Sequence, residues 1–318
     1  MAIICSGSLA YDRFSSFGGE FKDHILTDKI DYINLCFLVD QVETAPGGTA
    51  GNIVYNLHLL GESPLVISAV GQDPEGQVYL SRLKEFGLDT TYVALATKPT
   101  AGAYICTDAA SNQLTFFNSG AMSQETSFEP ASLPQPYDQH LAIVAPGGLA
   151  DMKNLCRLYR DLGVRFIFDP GQQVPAFTGP ELLDMLDGSL MLITNEYELD
   201  LFLERTKLKV EELFQYTTTI VTTLGGEGSR LTTPKGSQHI MPGPIEELVN
   251  PTGAGDAYRA GILKALAHNE AIITACRLGS TVASFCVEAA GPQSHYFRPG
   301  EVLARHFRTF KETINCLA

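Results

Sequence analysis

Asn250-Pro251-Thr252-Gly253-Ala254-Gly255-Asp256-Ala257-Tyr258 is the stretch on which the reading of this sequence turns. Residues 257–266 read as a helix, with Ile262, Leu263 and Leu266 apolar. Gly253, Ala254 and Gly255 therefore stand at a helix N-terminus, where backbone N–H groups lack intrahelical partners and the macrodipole is positive. Glycine there lets a phosphate come close to the backbone. Asp256 is the odd member, because a carboxylate in an anion hole repels phosphate unless it has work there. Accepting the proton of a hydroxyl that attacks a γ-phosphate is such work. An ordinary helix start, with an Asp favoured in the first turn and glycines chosen for packing, fits the same residues.

Four more segments bear on the choice. Pro46-Gly47-Gly48-Thr49-Ala50-Gly51-Asn52 leads into a second helix, and the Asn52 amide has both a donor and an acceptor to offer a sugar diol. Gly7-Ser8-Leu9-Ala10-Tyr11-Asp12 follows the first apolar run, where ligands of open α/β sheets bind, and Asp12 is a candidate hydroxyl acceptor. Asn195 and Glu198 share one face of a helical turn and suit a hydrated Mg²⁺, or simply a capping box. Thr222-Thr223-Leu224-Gly225-Gly226-Glu227-Gly228 is a glycine-rich turn that suits a nucleotide or a plain hairpin; it lacks the lysine of a P-loop.

Around these segments the chain alternates. Continuous apolar runs at Ala2–Cys5, Leu65–Val70, Leu141–Ala145, Phe166–Phe168, Leu190–Thr194 and Thr219–Thr222 suit strands covered on both faces. Helical spacing lies between them, as at Ile53, Leu57 and Leu60 or Leu155, Leu158 and Leu162. This is an α/β pattern with a mainly parallel sheet. Residues 13–45 and 100–122 break the rhythm with alternating patches, including Leu35–Val39, and are expected to pair as a small β lid. The large α/β domain then comprises 1–12, 46–99 and 123–318.

The net charge of −14 excludes a nucleic-acid surface and a polybasic membrane anchor, so a phosphate site must be built locally. No apolar run reaches the ~18 residues of a membrane span. Seven scattered cysteines without a C-x-x-C pair read as buried thiols in a reducing compartment, and the chain is expected to be cytoplasmic.

In order and spacing, the five segments resemble the ribokinase-like, or phosphofructokinase B, kinases over nearly the whole chain. Within that family the sequence looks most like bacterial adenosine kinases of the mycobacterial type, through Gly7–Asp12, Cys36–Asp40, Gly47–Asn52, Gly120–Ser123, Asp169–Gln173 and Thr194–Glu198. The resemblance implies a three-layer α/β fold and transfer of the ATP γ-phosphate to a nucleoside 5′-hydroxyl, most simply that of adenosine. It implies Asp256 as catalytic base with Gly253, Ala254 and Gly255 as the anion hole. Ser8, Asp12, Gly47, Gly48 and Asn52 would hold the ribose, Gln172 and Gln173 would place the nucleoside, and Phe37, Tyr104 and Phe117 would flank the base. Asn195, Thr223, Gly225 and Gly228 would border ATP, with Mg²⁺ held by Glu198 through water. The implied partners are the nucleoside and ATP; separately, an exposed lid sheet could pair two copies as a homodimer. Asn250 replaces the Asp that usually opens the signature, where some relatives hold a monovalent cation, so K⁺ dependence stays open. A sugar kinase acting on ribose or a keto-sugar, or a non-catalytic binding protein on the same scaffold, are the alternatives.

Overall fold

Strands form where apolar residues run unbroken, and every run named above is one. The computed structural model describes residues 1–25, 32, 34–110, 112–130 and 133–317. Its larger sheet has nine strands: β1 (Ile3–Ser6), β4 (Leu65–Gly71), β5 (Val93–Ala96), β8 (Leu141–Val144), β9 (Arg165–Phe168), β10 (Met191–Asn195), β11 (Ile220–Thr223), β12 (Ser229–Thr233) and β13 (Gly236–Ile240). Their order is β13-β12-β11-β10-β9-β8-β1-β4-β5. All neighbours from β11 to β5 are parallel, and β12 and β13 add an antiparallel edge.

Both faces are covered, as continuous apolar strands require. Helices α1 (Thr49–Leu59), α6 (Ala254–Ala267) and α7 (Ile272–Cys286) pack one core with residues such as Ile53, Leu57, Ile262 and Val282. Helices α3 (Leu149–Leu162), α4 (Gly179–Leu186) and α5 (Glu196–Thr206) pack the other through Leu155, Leu182 and Phe202. The result is three layers, the mainly parallel α/β fold expected. The chain leaves β1 for β4 on one side and returns to β8 on the other, so a crevice opens beyond the carboxyl ends of β1 and β8. No helix among the described residues is long and apolar enough to cross a membrane.

A second, four-stranded sheet stands beside this crevice, in the order β3-β2-β6-β7, from β2 (Ala10–Ser16), β3 (Val42–Gly47), β6 (Ala101–Thr107) and β7 (Gln113–Asn118). It differs from expectation in two ways. The alternating patch Leu35–Val39 is not a strand; the strand lies at 42–47 instead. In addition, β2 starts at Ala10 and β3 ends at Gly47, so Asp12 and Gly47 belong to the small sheet rather than to the large one. Residues 26–31 and 33 of the expected lid segment lie outside the described residues.

Candidate active site

The expected anion hole is the first turn of α6. Its N-cap, Gly253, sits at φ 82°, and a Cβ there would come within 2.4 Å of Pro292 Cβ, so only glycine fits. No side chain caps the helix; Ala254 N donates to Pro251 O at 3.2 Å, and the N–H groups of Gly255 and Asp256 have no intrahelical acceptor. Asp256 follows in the same turn. Desolvation raises its carboxyl to about 7, although Arg259 and a hydrogen bond from Asn52 pull it down. A carboxylate poised there changes protonation near neutral pH, as a general base must.

Asn52, on α1, reaches across to this base: Nδ2 donates to Asp256 Oδ2 at 2.8 Å. Its Oδ1 accepts from Gln293 Nε2 at 3.0 Å. The side-chain oxygen expected for a sugar diol is therefore already engaged, and one N–H of Asn52 remains for a ligand. Asp12 faces the same crevice from β2, with its carboxyl raised to about 6 by desolvation. A Cβ on Gly47 would strike Asp12 Oδ2 at 2.4 Å, which explains the first glycine of the pair. Gly48, at φ +86°, lies against the Ser8 carbonyl. The Ser8 hydroxyl accepts from Thr49 N at 3.0 Å and contacts Thr49 Oγ1 at 3.2 Å. Thr49 Oγ1 in turn donates to Pro146 O, so the Ser8 hydroxyl must donate to Thr49. Ser8 thus pins the start of α1 and keeps a single lone pair for a ligand.

Register assigns the aromatic residues of the small sheet to faces. Cross-strand partners share a face and successive residues alternate. Asp12 pairs with Ala103, and Ala103 with Phe117, so Phe117 lies on the Asp12 face, about 10 Å away across two strands. Phe14, two residues beyond Asp12 on the same face, is a neighbour that the sequence reading missed. Tyr104 pairs with Arg13 and lies on the opposite face, with the Arg13 guanidinium 4.8 Å from its ring centre. Arg13 is itself ion-paired to Glu75 on α2 (Pro74–Glu85). Phe37 packs into an aromatic cluster with Phe17, Phe21 and His24, at ring separations of 4.9, 5.0 and 5.7 Å. Of the three expected aromatics, only Phe117 shares a face with Asp12.

The residues expected to border the nucleotide stand at the ends of β10 and β11. Asn195 and Thr223 are register partners, and the turn at Gly225–Glu227 joins β11 to β12 as a hairpin closed by Leu224 N to Gly228 O. Asn195 and Glu198 form a reciprocal capping box, each donating a backbone N–H to the other's side chain at 2.8 Å. Glu198 is also raised in pKa, first by desolvation and then by the nearby Asp169. Its second oxygen accepts no hydrogen bond from a described residue. Among the described residues no group of three or more His, Cys, Asp or Glu could hold a metal alone. A single carboxylate suits Mg²⁺ that arrives on phosphate oxygens and keeps its waters.

Gln172 and Gln173 lie on the short helix Gly171–Ala176 after β9; Gln173 Nε2 donates to Gly147 O at 3.4 Å and Gln172 is exposed. Sequence reasoning also missed Arg259. It lies three residues after Asp256, donates to Gly255 O at 3.0 Å and pairs with buried Asp169. The i, i+3 spacing of Asp256 and Arg259 on one helix was the available signal.

A helix N-terminus without a side-chain cap, beside a carboxyl raised toward neutral pH in a switch-point crevice, suits a phosphotransferase with an alcohol acceptor. The model of the pfkB family carbohydrate kinases matches residues 20–296. A nucleoside kinase from Methanothermobacter thermautotrophicus is 30% identical over 289 residues, covering 89% of this chain and 92% of that protein. A Burkholderia thailandensis nucleoside kinase, solved in complex with inosine, is 32% identical with a TM-score of 0.87, covering 98% of this chain and 99% of that one. Ribokinase from Thermotoga maritima shares the fold, with a TM-score of 0.77 at 16% identity over 96% of this chain and 99% of that one. The chain belongs to the pfkB family of kinases. The first two of these proteins are nucleoside kinases, a broader group than the mycobacterial-type adenosine kinases that the sequence resembles.

Proposed function

We propose that this chain transfers the γ-phosphoryl group of ATP to the 5′-hydroxyl of a purine nucleoside, adenosine foremost and inosine beside it. The observation that carries the reading is the convergence of Asp256, Asn52 and Asp12 on one crevice, with Phe117 on the Asp12 face. Asp12 and the remaining N–H of Asn52 suit the ribose hydroxyls, with the backbone at Gly47 and Gly48 close by. Phe117 offers a base a stacking surface. Gln172, Gln173 and the aromatic Phe14 border the nucleoside in this reading.

The 5′-oxygen attacks Pγ while its proton passes to Asp256. The new O–Pγ bond forms as the bond to the bridging β–γ oxygen breaks, and that electron pair leaves on ADP. The N–H groups of Gly253 and Gly255 bind the negative charge of the transferring group, and Ala254, whose own N–H is held by Pro251 O, continues that turn. Asn195, Thr223, Gly225 and Gly228 border the nucleotide, and Glu198 would hold its Mg²⁺ through water. That ion supplies neutralisation of phosphate charge. The small sheet acts as a lid that excludes water during transfer, and its outer face pairs two copies of the chain. A related structure, the Burkholderia thailandensis nucleoside kinase in complex with ADP-inosine, supports a nucleoside acceptor and an adenine-nucleotide donor, without bearing on adenosine; it is 34% identical. All seven cysteines are free, which fits a cytoplasmic enzyme.

A sugar kinase is the second reading. It is favoured by the location of Phe37 and Tyr104, which leaves one aromatic of three on the ribose side. ATP turnover and calorimetric titration with adenosine, inosine and ribose separate the two. Nucleosides are expected to bind and turn over; tight ribose binding without nucleoside binding would overturn the assignment.

A further inference from the structure

Behind Asn52 runs a buried chain of hydrogen bonds whose direction is fixed at one end. The Gly47 carbonyl can only accept, so Tyr79, on α2, donates its hydroxyl hydrogen to it at 2.7 Å. The Tyr79 oxygen must then accept from Gln293 Nε2 at 3.0 Å. An oxygen at that position of Gln293 would face another acceptor, so the amide has one allowed orientation. Its other N–H meets Asn52 Oδ1 at 3.0 Å, and Asn52 Nδ2 is left facing Asp256 Oδ2 at 2.8 Å. Tyr79, Asn52 and Gln293 are 1%, 5% and 7% exposed, so water does not loosen the chain. Gly51 belongs to it as well: a Cβ there would lie 1.9 Å from the Tyr79 hydroxyl and 3.2 Å from Gln293 Nε2.

We infer that Gln293 is a positioning residue that locks the Asn52 amide with its N–H, never its oxygen, toward Asp256. An unlocked Asn52 would turn with the state of the base, donating to the carboxylate and accepting from the protonated acid. The lock removes the second option and so disfavours the protonated form, which must release its proton after each transfer. The role rests on Asp256 being the base proposed above. Other groups facing Asp256 are Arg259 on its own helix, Asp12 from β2, Asp169 beyond β9 and Cys286 at the end of α7. The lock acts on top of their field and through Asn52 alone.

The test reads Asp256 directly, in the ligand-free full-length chain. The protein is labelled with ¹³Cγ-aspartate, and the Asp256 resonance is assigned by its loss in Asp256→Asn. Gln293→Met keeps length and bulk but has no donor. It is expected to raise the Asp256 midpoint by up to about one pH unit, the scale of a hydrogen bond to a charged group. Tyr79→Phe, a milder change that removes the directing hydroxyl, is expected to shift it the same way by less. In an Asn52→Ala background Gln293→Met should move nothing, a result that a merely structural role would not give. An unchanged midpoint in both single variants, or an equal shift without Asn52, overturns the inference. Because no turnover is needed, the outcome stands apart from the identity of the phosphoryl acceptor.

Discussion

Arg259 grips Asp169 with two nitrogens: Nη2 donates to Oδ1 at 2.7 Å and Nε to Oδ2. Both side chains are buried, 8% and 2% exposed. Burial works against the guanidinium charge, but Asp169 outweighs it and holds Arg259 firmly protonated. Removing one member of such a pair strands a charge in the interior. Arg259→Met is therefore expected to cost about 3–5 kcal/mol in urea denaturation. The double variant Asp169→Leu/Arg259→Met should recover most of that loss. A single-variant cost below ~1 kcal/mol would show that the pair is not held as described.

Asp256→Asn removes the proposed proton acceptor with little change in shape. Turnover should fall by about 10²–10⁴-fold, the usual contribution of a general base, with nucleoside affinity within a few-fold of the parent. In the parent the base works only when ionised. With the carboxyl of the free enzyme raised to about 7, kcat/KM should fall as pH drops through that value and level off above it. Near-normal turnover in the variant takes Asp256 out of its role.

The same group should set a pH-dependent stability difference. An unfolded Asp titrates near 3.9, so the native state resists ionisation of Asp256 and is destabilised relative to a neutral side chain once pH exceeds that value. The cost grows between about pH 4 and the native value near 7, then stays constant. Asp256→Asn should accordingly melt higher than the parent at pH 8 and equal to it at pH 4. Partial exposure to the crevice screens the effect, so a gain of about 1 kcal/mol is expected rather than the full shift. Calorimetric melts at the two pH values check the sign.

Which residues were legible in the sequence follows from how far apart their partners lie. Gly253–Asp256 and Gly47–Asn52 could be read because a helix N-terminus is a local event, marked by glycines ahead of an apolar pattern. Six strands of the large sheet, β1, β4 and β8 to β11, were legible because burial on both faces removes alternation, whereas β5, β12 and β13 toward its edges are partly exposed and carry no such run. Phe37 was assigned to the base because its neighbours Phe17, Phe21 and His24 come together only in the folded lid. Tyr104 was misplaced because a strand's register, not its sequence, decides which face meets the crevice. Gln293 carried no signal, since its contact with Asn52 spans 241 residues.

Face assignment yields a prediction for the aromatics. Phe117→Ala should weaken nucleoside binding by roughly 3–10-fold, the worth of one aromatic contact. Tyr104→Ala should leave affinity within twofold, because its ring lies over Arg13 on the other face. Isothermal titration with adenosine compares them; equal losses would contradict the register.

The cation question left open by Asn250 has a structural answer that can be tested. Asn250 Nδ2 donates to Ala290 O at 2.8 Å, while its Oδ1 accepts from Thr252 N at 2.9 Å. One neutral amide thus ties the loop before the anion hole to the segment after α7. An Asp in its place would put a carboxylate against the Ala290 carbonyl, two acceptors that need a bridging water or a shared cation between them. The amide makes this link without either, so the chain is expected to work without a monovalent ion. Turnover is expected to be the same within twofold in K⁺, Na⁺ or choline at constant ionic strength. Asn250→Asp should lose activity in choline and regain it with a small metal cation. Strong K⁺ activation of the parent would mean that the amide does not replace the ion.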